Sequence, residues 1–239
     1  VHQFLASPEM VELALKDPVG FVRKGGSAGL ANVAPDNPVW VKFARSMAPF
    51  MAPVAAATAG HFESMDPPPS RILDIAAGHG LFGIEFARRF PGSEVTALDW
   101  GQVLDVAREN AAAVNVSQQY RTLTGSAFEV PFGGPYDLVL MPNFLHHFEE
   151  ASCIAILRKA RAALAPGGRV AVVEFVPNED RVSPAMPAMF AFLMLATTPG
   201  GTSFPPSALT RMFVGAGFAQ PEFVPLPPSP QTLVLSKPN

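Results

Sequence analysis

The residues with chemistry to offer begin at Asp74-Ile75-Ala76-Ala77-Gly78-His79-Gly80, where a short apolar run turns into a helical one, and continue at Asp99, 21 residues beyond Gly78. Glycine at such a turn lets the backbone approach a ligand closely, and the helix that follows presents unpaired N–H groups. A carboxylate ending the next strand, here Asp99, reaches the two hydroxyls of a ribose lying over the turn. Gly83 completes Gly78-x-Gly80-x-x-Gly83, which is also a full dinucleotide fingerprint, so the turn marks a nucleotide crevice without choosing its occupant.

Asp74 and the chain beyond make the choice. A buried carboxylate at the strand end is unfavourable beside a pyrophosphate and favourable beside the ammonium and sulfonium of S-adenosylmethionine (SAM). After the third strand, Gly125-Ser126-Ala127-Phe128 offers a hydroxyl and an aromatic face where an adenine would lie, or else an ordinary turn with a core Phe. The closing segments Glu222 to Pro225 and Thr232 to Leu235 are too close in sequence to pair except as a hairpin, whereas a dinucleotide domain runs on in parallel units.

Methyl transfer from such a cofactor needs alignment and removal of a proton. The candidate base is His146, just after the strand Tyr136 to Met141, because a neutral imidazole accepts a proton near neutral pH. Glu174 ends the fifth strand at the same edge and is placed to hold that imidazole in the useful tautomer. The bland alternative is that His146 and His147 cap or pack. A metal is not expected: adjacent histidines diverge on a helix, and no short-spaced ligand cluster supplies further positions. His79, inside the glycine turn, is read as lining the cofactor, and His2 and His61 carry no interpretable context.

These residues require a particular frame. From residue 71, strands at Arg71 to Ile75, Val95 to Leu98, Tyr120 to Leu123, Tyr136 to Met141 and Arg169 to Phe175 alternate with helices at about 81 to 90, 103 to 114 and 151 to 164. That pattern predicts an α/β fold, a Rossmann-like, mostly parallel sheet with an antiparallel last strand, preceded by a small helical region. The boundary falls at Asp66-Pro67-Pro68-Pro69-Ser70, giving residues 1–66 as a helical linker, lid or dimer contact and 67–239 as the catalytic domain. Within the first region Val41 to Ala59 has helical spacing interrupted by Pro49 and Pro53. Helices are also expected at about 184 to 196 and 207 to 216, the first buried, with Met186, Met189, Phe190, Phe192, Leu193 and Met194 as an apolar wall suited to a flat aromatic ligand or to plain packing.

Taken in order, Asp74 to Gly80, Asp99-Trp100, Asn143-Phe144-Leu145-His146-His147-Phe148, Ala162 to Gly168 and Met194-Leu195-Ala196 with Gly200-Gly201 resemble the O-methyltransferase family of plant phenolic, hydroxyindole and bacterial polyketide enzymes. The resemblance spans residues 71 to about 236. It implies that Gly78 and Gly80 border the methionine part of SAM, Asp99 the ribose, and Trp100 and Phe128 the adenine, with Ser126 and Asn143 in the same set and His146 as the base. The sequence departs from the plant members in two places: Thr202-Ser203-Phe204 follows Gly200-Gly201 without a carboxylate, and His147 stands where an acid is common beside the base. A C-methylating member is therefore an alternative, as are, in other classes, an NAD-dependent oxidoreductase and a SAM-binding protein without turnover. Family members carry an N-terminal winged-helix dimerisation domain; this chain begins with helices like those that follow it, so a homodimer is expected of the full-length protein.

Charge and composition narrow the partners. With 17 Lys and Arg against 20 Asp and Glu, a net −3, the chain has no electrostatic footprint for nucleic acid or an acidic membrane. Met141-Pro142-Asn143-Phe144 shares only Pro142 and Phe144 with the motif of amino-directed nucleic-acid methyltransferases, so a small molecule is the expected substrate. The single cysteine, Cys153, and the lack of a signal-peptide pattern lead to a cytoplasmic expectation.

Overall fold

The computed structural model describes residues 17–27 and 34–239; His2 and the rest of the expected helical region at 1–16 and 28–33 lie outside them. Two helices, α1 (Pro18–Lys24) and α2 (Val39–His61), precede the alternating unit: β1 (Arg71–Ile75), α3 (Leu81–Arg89), β2 (Glu94–Asp99), α4 (Gly101–Ala113), β3 (Tyr120–Thr124), β4 (Tyr136–Pro142), α5 (Glu150–Ala162) and β5 (Leu164–Glu174). Then follow α6 (Ala185–Thr197), α7 (Pro206–Gly215), β6 (Glu222–Pro225) and β7 (Thr232–Ser236).

The seven strands lie in the order β3-β2-β1-β4-β5-β7-β6, the first five parallel and β7 antiparallel to both β5 and β6. Reversal of strand order around β1 and β4 opens a crevice at the carboxyl edge, the position where ligands bind in such sheets. Strand alternation divides the core. Ile72, Leu138, Leu140, Ala171, Val173, Leu233 and Leu235 point to one face and meet α2, α3 and α4. Leu73, Ile75, Val139, Met141, Val170, Val172 and Val234 point to the other and meet α5 and α7. Burial on both faces is why these strands read as continuous apolar runs rather than as alternation.

Three expectations need correction. The helix thought to be interrupted at Pro49 and Pro53 is continuous for 23 residues. Both prolines are exposed, so the carbonyls they leave without a donor, four residues back, face water, and the opposite side buries Met51, Val54, Ala55 and Ala59 in the core it shares with α3 and α4. Secondly, β5 starts at Leu164 rather than at Arg169, Leu164 pairing with Tyr136 before a register shift, so Pro166-Gly167-Gly168, outside the expected bounds, lies within the strand. Finally, α6 is not a buried helix. Met186, Met189 and Phe192 are 53%, 68% and 57% exposed, and among its large side chains only Pro187 and Met194 are buried. Among the described residues no helix is long and apolar enough to cross a membrane.

Candidate active site

The carboxyl edge of the sheet gathers two groups of side chains, one at the ends of β1 and β2 and one at the ends of β4 and β5. The first is built on the turn between β1 and α3. Gly78 and Gly80 both have positive φ, 57° and 77°, the region where a side chain is strained. They differ in what surrounds them. A Cβ on Gly78 would meet nothing closer than the Ala76 carbonyl at 3.8 Å, whereas one on Gly80 would lie 2.6 Å from the Tyr120 hydroxyl and 2.8 Å from the Ala107 methyl. Gly78 thus borders open space, and Gly80 makes room for β3 and α4.

Asp99 is held in a fixed orientation by two backbone donors. Its Oδ2 accepts from Gly78 N–H at 2.8 Å and its Oδ1 from Trp100 N–H at 2.7 Å, leaving further lone pairs on both oxygens. Burial outweighs these bonds and pushes its carboxyl up to about 6. Trp100 precedes α4 and, like Trp40, packs against the cluster of Ala44, Val103 and Val106. Asp74 is fully buried; Oδ2 accepts from Gly83 N–H at 3.0 Å, while Oδ1 has no protein partner. Burial first, and then the Asp99 charge, lift Asp74 to about 7 despite the Gly83 bond. His79 accepts from Leu81 N–H through Nδ1, and burial lowers it to about 4, so it is a neutral ring within the turn.

The residues fit SAM on two observations: an orphaned buried carboxylate oxygen suited to a positive ligand, and a glycine cradle that a Cβ would fill. Phe128 is 41% exposed and touches Phe148 edge-on at 5.0 Å, and the Ser126 hydroxyl accepts from Phe128 N–H at 3.3 Å, so the segment presents an aromatic face to solvent rather than a core Phe. Asn143 directly follows β4 with φ 55°, and its side chain is engaged elsewhere, bonding Gln231 through Oδ1 and the Met51 sulfur through Nδ2.

The second group is His146 with Glu174, the candidate base and its expected acid. His146 stands in the 3-10 turn Leu145–His147, its Nδ1 2.5 Å from Oε2 of Glu174, the last residue of β5; its backbone N–H also donates to Oε1 at 3.3 Å. Both residues are buried, at 4% and 3% exposure. The neighbouring histidines do not diverge as they would on an α-helix: their ring centroids are 4.4 Å apart, and burial with the adjacent His146 holds His147 well below the usual imidazole value. Phe190 of α6 meets the His146 ring edge-on at 4.7 Å and stacks on Phe175 at 4.2 Å. Among the described residues no group of three or more His, Cys, Asp or Glu is placed to hold a metal ion.

Four residues escaped the sequence reading. Tyr120 lies against Gly80 and Gly83, Asn110 donates to the His79 carbonyl at 2.8 Å, Gln231 bonds Asn143, and Thr198 holds the turn beside His146. Each reaches the site from a distant element, so no local motif announces it.

Residues 21–219 match the sequence profile of the O-methyltransferase domain. The chain belongs to that family. It is 32% identical over 142 residues to acetylserotonin O-methyltransferase of Mus musculus, covering 57% of this chain and 36% of that protein. Against 3-hydroxy-5-methyl-1-naphthoate 3-O-methyltransferase of Streptomyces sahachiroi it is 31% identical over 130 residues, 54% of this chain and 38% of the relative. The match therefore spans well under half the length of these relatives. A crystal structure assigned as an O-methyltransferase from Nostoc punctiforme superposes with a TM-score of 0.92 at 42% identity, over 98% of this chain and 71% of the other. Human N-acetylserotonin methyltransferase in complex with SAM shares the fold, with a TM-score of 0.82 at 19% identity over 99% and 69% of the two chains.

Proposed function

We propose that this O-methyltransferase family member transfers a methyl group from SAM to the hydroxyl, phenolic or enolic, of a small aromatic molecule, with His146 as general base. The observation that carries the proposal is the short His146–Glu174 contact at the sheet edge shared with the glycine turn and Asp99. When Glu174 accepts from Nδ1–H, the imidazole is fixed in the tautomer whose Nε2 has a free lone pair. Nε2 takes the proton of the substrate hydroxyl, and the oxygen so freed forms its new bond to the methyl carbon. Bound SAM supplies that methyl on a sulfonium, which leaves as a neutral thioether. The imidazolium produced is stabilised by the Glu174 carboxylate until the proton passes to solvent.

Gly78 and Gly80 shape the turn beside the cofactor's methionine part, Asp74 faces its positive charge, and Asp99 takes the ribose hydroxyls, with Trp100, Ser126 and Phe128 toward the adenine and Asn143 at the β4 end. The relatives support this choice of cofactor, since the human enzyme was solved with SAM and another neighbour, PigF, with SAH. Phe175 and Phe190, stacked beside the base, favour a flat substrate. The chain's net −3 favours a small molecule over nucleic acid. On this reading residues 67–239 are the catalytic domain and residues 1–66 a linker, lid or dimer contact, and a cytoplasmic location agrees with a buried, free Cys153. It includes a homodimer of the full-length protein, supported by the exposed Val19, Val22, Met189 and Phe192 on α1 and α6.

Calorimetry with SAM, S-adenosylhomocysteine and NAD, followed by methylation of a phenol panel, tests the proposal. Binding of the first two, and turnover lost in His146→Ala, are expected. Tight NAD binding would sink the cofactor assignment; SAM binding with no turnover on any hydroxyl acceptor would leave a binding protein or a C-methylating enzyme.

A further inference from the structure

The backbone of His146 is gripped from outside its own strand pair, by the turn that carries Gly200 and Gly201. Thr198, Pro199, Gly200 and Gly201 follow α6, and Gly201 lies so close to the His146 segment that a Cβ there would sit 2.3 Å from the His146 carbonyl oxygen and 2.9 Å from the carbonyl carbon of His147. No side chain fits in that gap without backbone movement. The turn is closed by the Thr198 hydroxyl, which donates to the Met194 carbonyl at 2.8 Å and accepts from Gly201 N–H at 2.8 Å. Thr198 is 3% exposed.

Its outer side is tied to the segment after α1. Helix ends leave carbonyls that need donors, and Ser27 supplies two: its hydroxyl bonds the Ala196 carbonyl at 2.6 Å and its backbone N–H the Thr198 carbonyl at 2.9 Å. Phe21 of α1 meets Phe192 of α6 at 5.6 Å, two residues from the Phe190 that touches the His146 ring. A series of direct contacts thus runs from residues 21 and 27 through α6 and its closing turn to the backbone of His146.

We infer that Thr198, supported by Ser27, is a positioning residue for the base, fixing the backbone of the Leu145–His147 turn so that the imidazole meets Glu174. This rests on the reading of His146 as the base but is open to measurement without a substrate. The titratable groups around the His146 turn are Glu174, His147 and Cys153, whose thiol donates to the Leu145 carbonyl at 3.3 Å, and none of these contacts involves Thr198.

The test compares Thr198→Val, which replaces the hydroxyl by a methyl of the same shape, with Thr198→Ser, which restores it, and with Ser27→Ala, all in the full chain. The first readout is the proton resonance of the His146 Nδ1–H shared with Glu174, identified by its loss in Glu174→Gln. Thr198→Val should shift or broaden it, Thr198→Ser should return it to the native position, and Ser27→Ala should move it in the same direction as Val but less. The second readout is kinetic: at saturating SAM, Thr198→Val should lower kcat about tenfold, the scale of a sub-ångström misplacement of a reacting group, with SAM affinity unchanged. A resonance and a kcat both native in Thr198→Val would overturn the inference, as would Thr198→Ser behaving like Thr198→Val. If the native protein methylates nothing in the panel, the proposed activity fails while the resonance still decides the positioning.

Discussion

The two halves of the carboxyl edge are built on opposite principles. At the ends of β1 and β2 the backbone does the holding: Gly78, Trp100 and Gly83 N–H groups fix two carboxylates, and one oxygen of Asp74 is left without a protein partner. At the ends of β4 and β5 side chains hold one another, His146 to Glu174 and Phe190 to both His146 and Phe175. A site organised by backbone accepts a constant ligand, since peptide groups cannot vary with sequence. One organised by side chains is free to change with the substrate. Binding and chemistry should therefore separate on mutation.

The largest expected effect tests that separation. His146→Ala should lower kcat by roughly 10²–10⁴, the usual contribution of general base catalysis, while calorimetric SAM affinity stays native; a matching loss of SAM binding would merge the two halves. Gly80→Ala comes next, and against Gly78→Ala it divides the turn itself. Both incur the left-handed backbone cost, about 1–2 kcal/mol, but Gly80→Ala adds about 1–3 kcal/mol of overpacking against Tyr120 and Ala107, so its Tm should fall further. Equal losses in Tm would show that Tyr120 yields freely. Asp99→Ala should weaken SAM by about tenfold or more, the range of a charge-assisted hydrogen bond, with kcat at saturating SAM near native.

The smallest effect concerns Asp74, and its sign follows from its displaced carboxyl, near 7 in the fold against an ordinary 3.8. Between those values the folded protein keeps a proton that the unfolded chain releases. The stability this confers is complete below about pH 4 and is lost as the pH rises through about 7. Asp74→Asn keeps an acceptor for Gly83 and removes the titration, so it should raise Tm at pH 8 by several degrees and change little below about pH 4. In the native protein, SAM affinity measured by calorimetry should rise between pH 6 and 8, because a cationic ligand favours the ionised carboxylate. A flat profile would remove Asp74 from the cofactor's surroundings.

Sequence and structure agree where chemistry is local. The glycine turn, Asp99 and the closing hairpin are each specified by a few consecutive residues, and the strands around them are long apolar runs that only a sheet covered on both faces can bury. Contacts set by register were hidden: nothing near Tyr120 indicates that its hydroxyl lies against Gly80, and nothing near Gln231 that it reaches Asn143. The burial of α6 was misjudged for a different reason. Its apolar residues surround the helix, and hydropathy alone does not distinguish a face packed on the core from one turned outward. The continuity of α2 shows the converse, packing on one side overriding two prolines on the other.

The outward face of α6 bears on how the protein is handled at high concentration. Met186 and Met189 are both exposed, but Met189 belongs to the face proposed for the dimer, so a polar replacement aimed at solubility suits Met186 alone. Phe192 is just as exposed yet rests on Phe21 of α1. A surface redesign that treated all three alike would loosen the helix that carries Phe190, and a gain in solubility would be traded against the setting of His146.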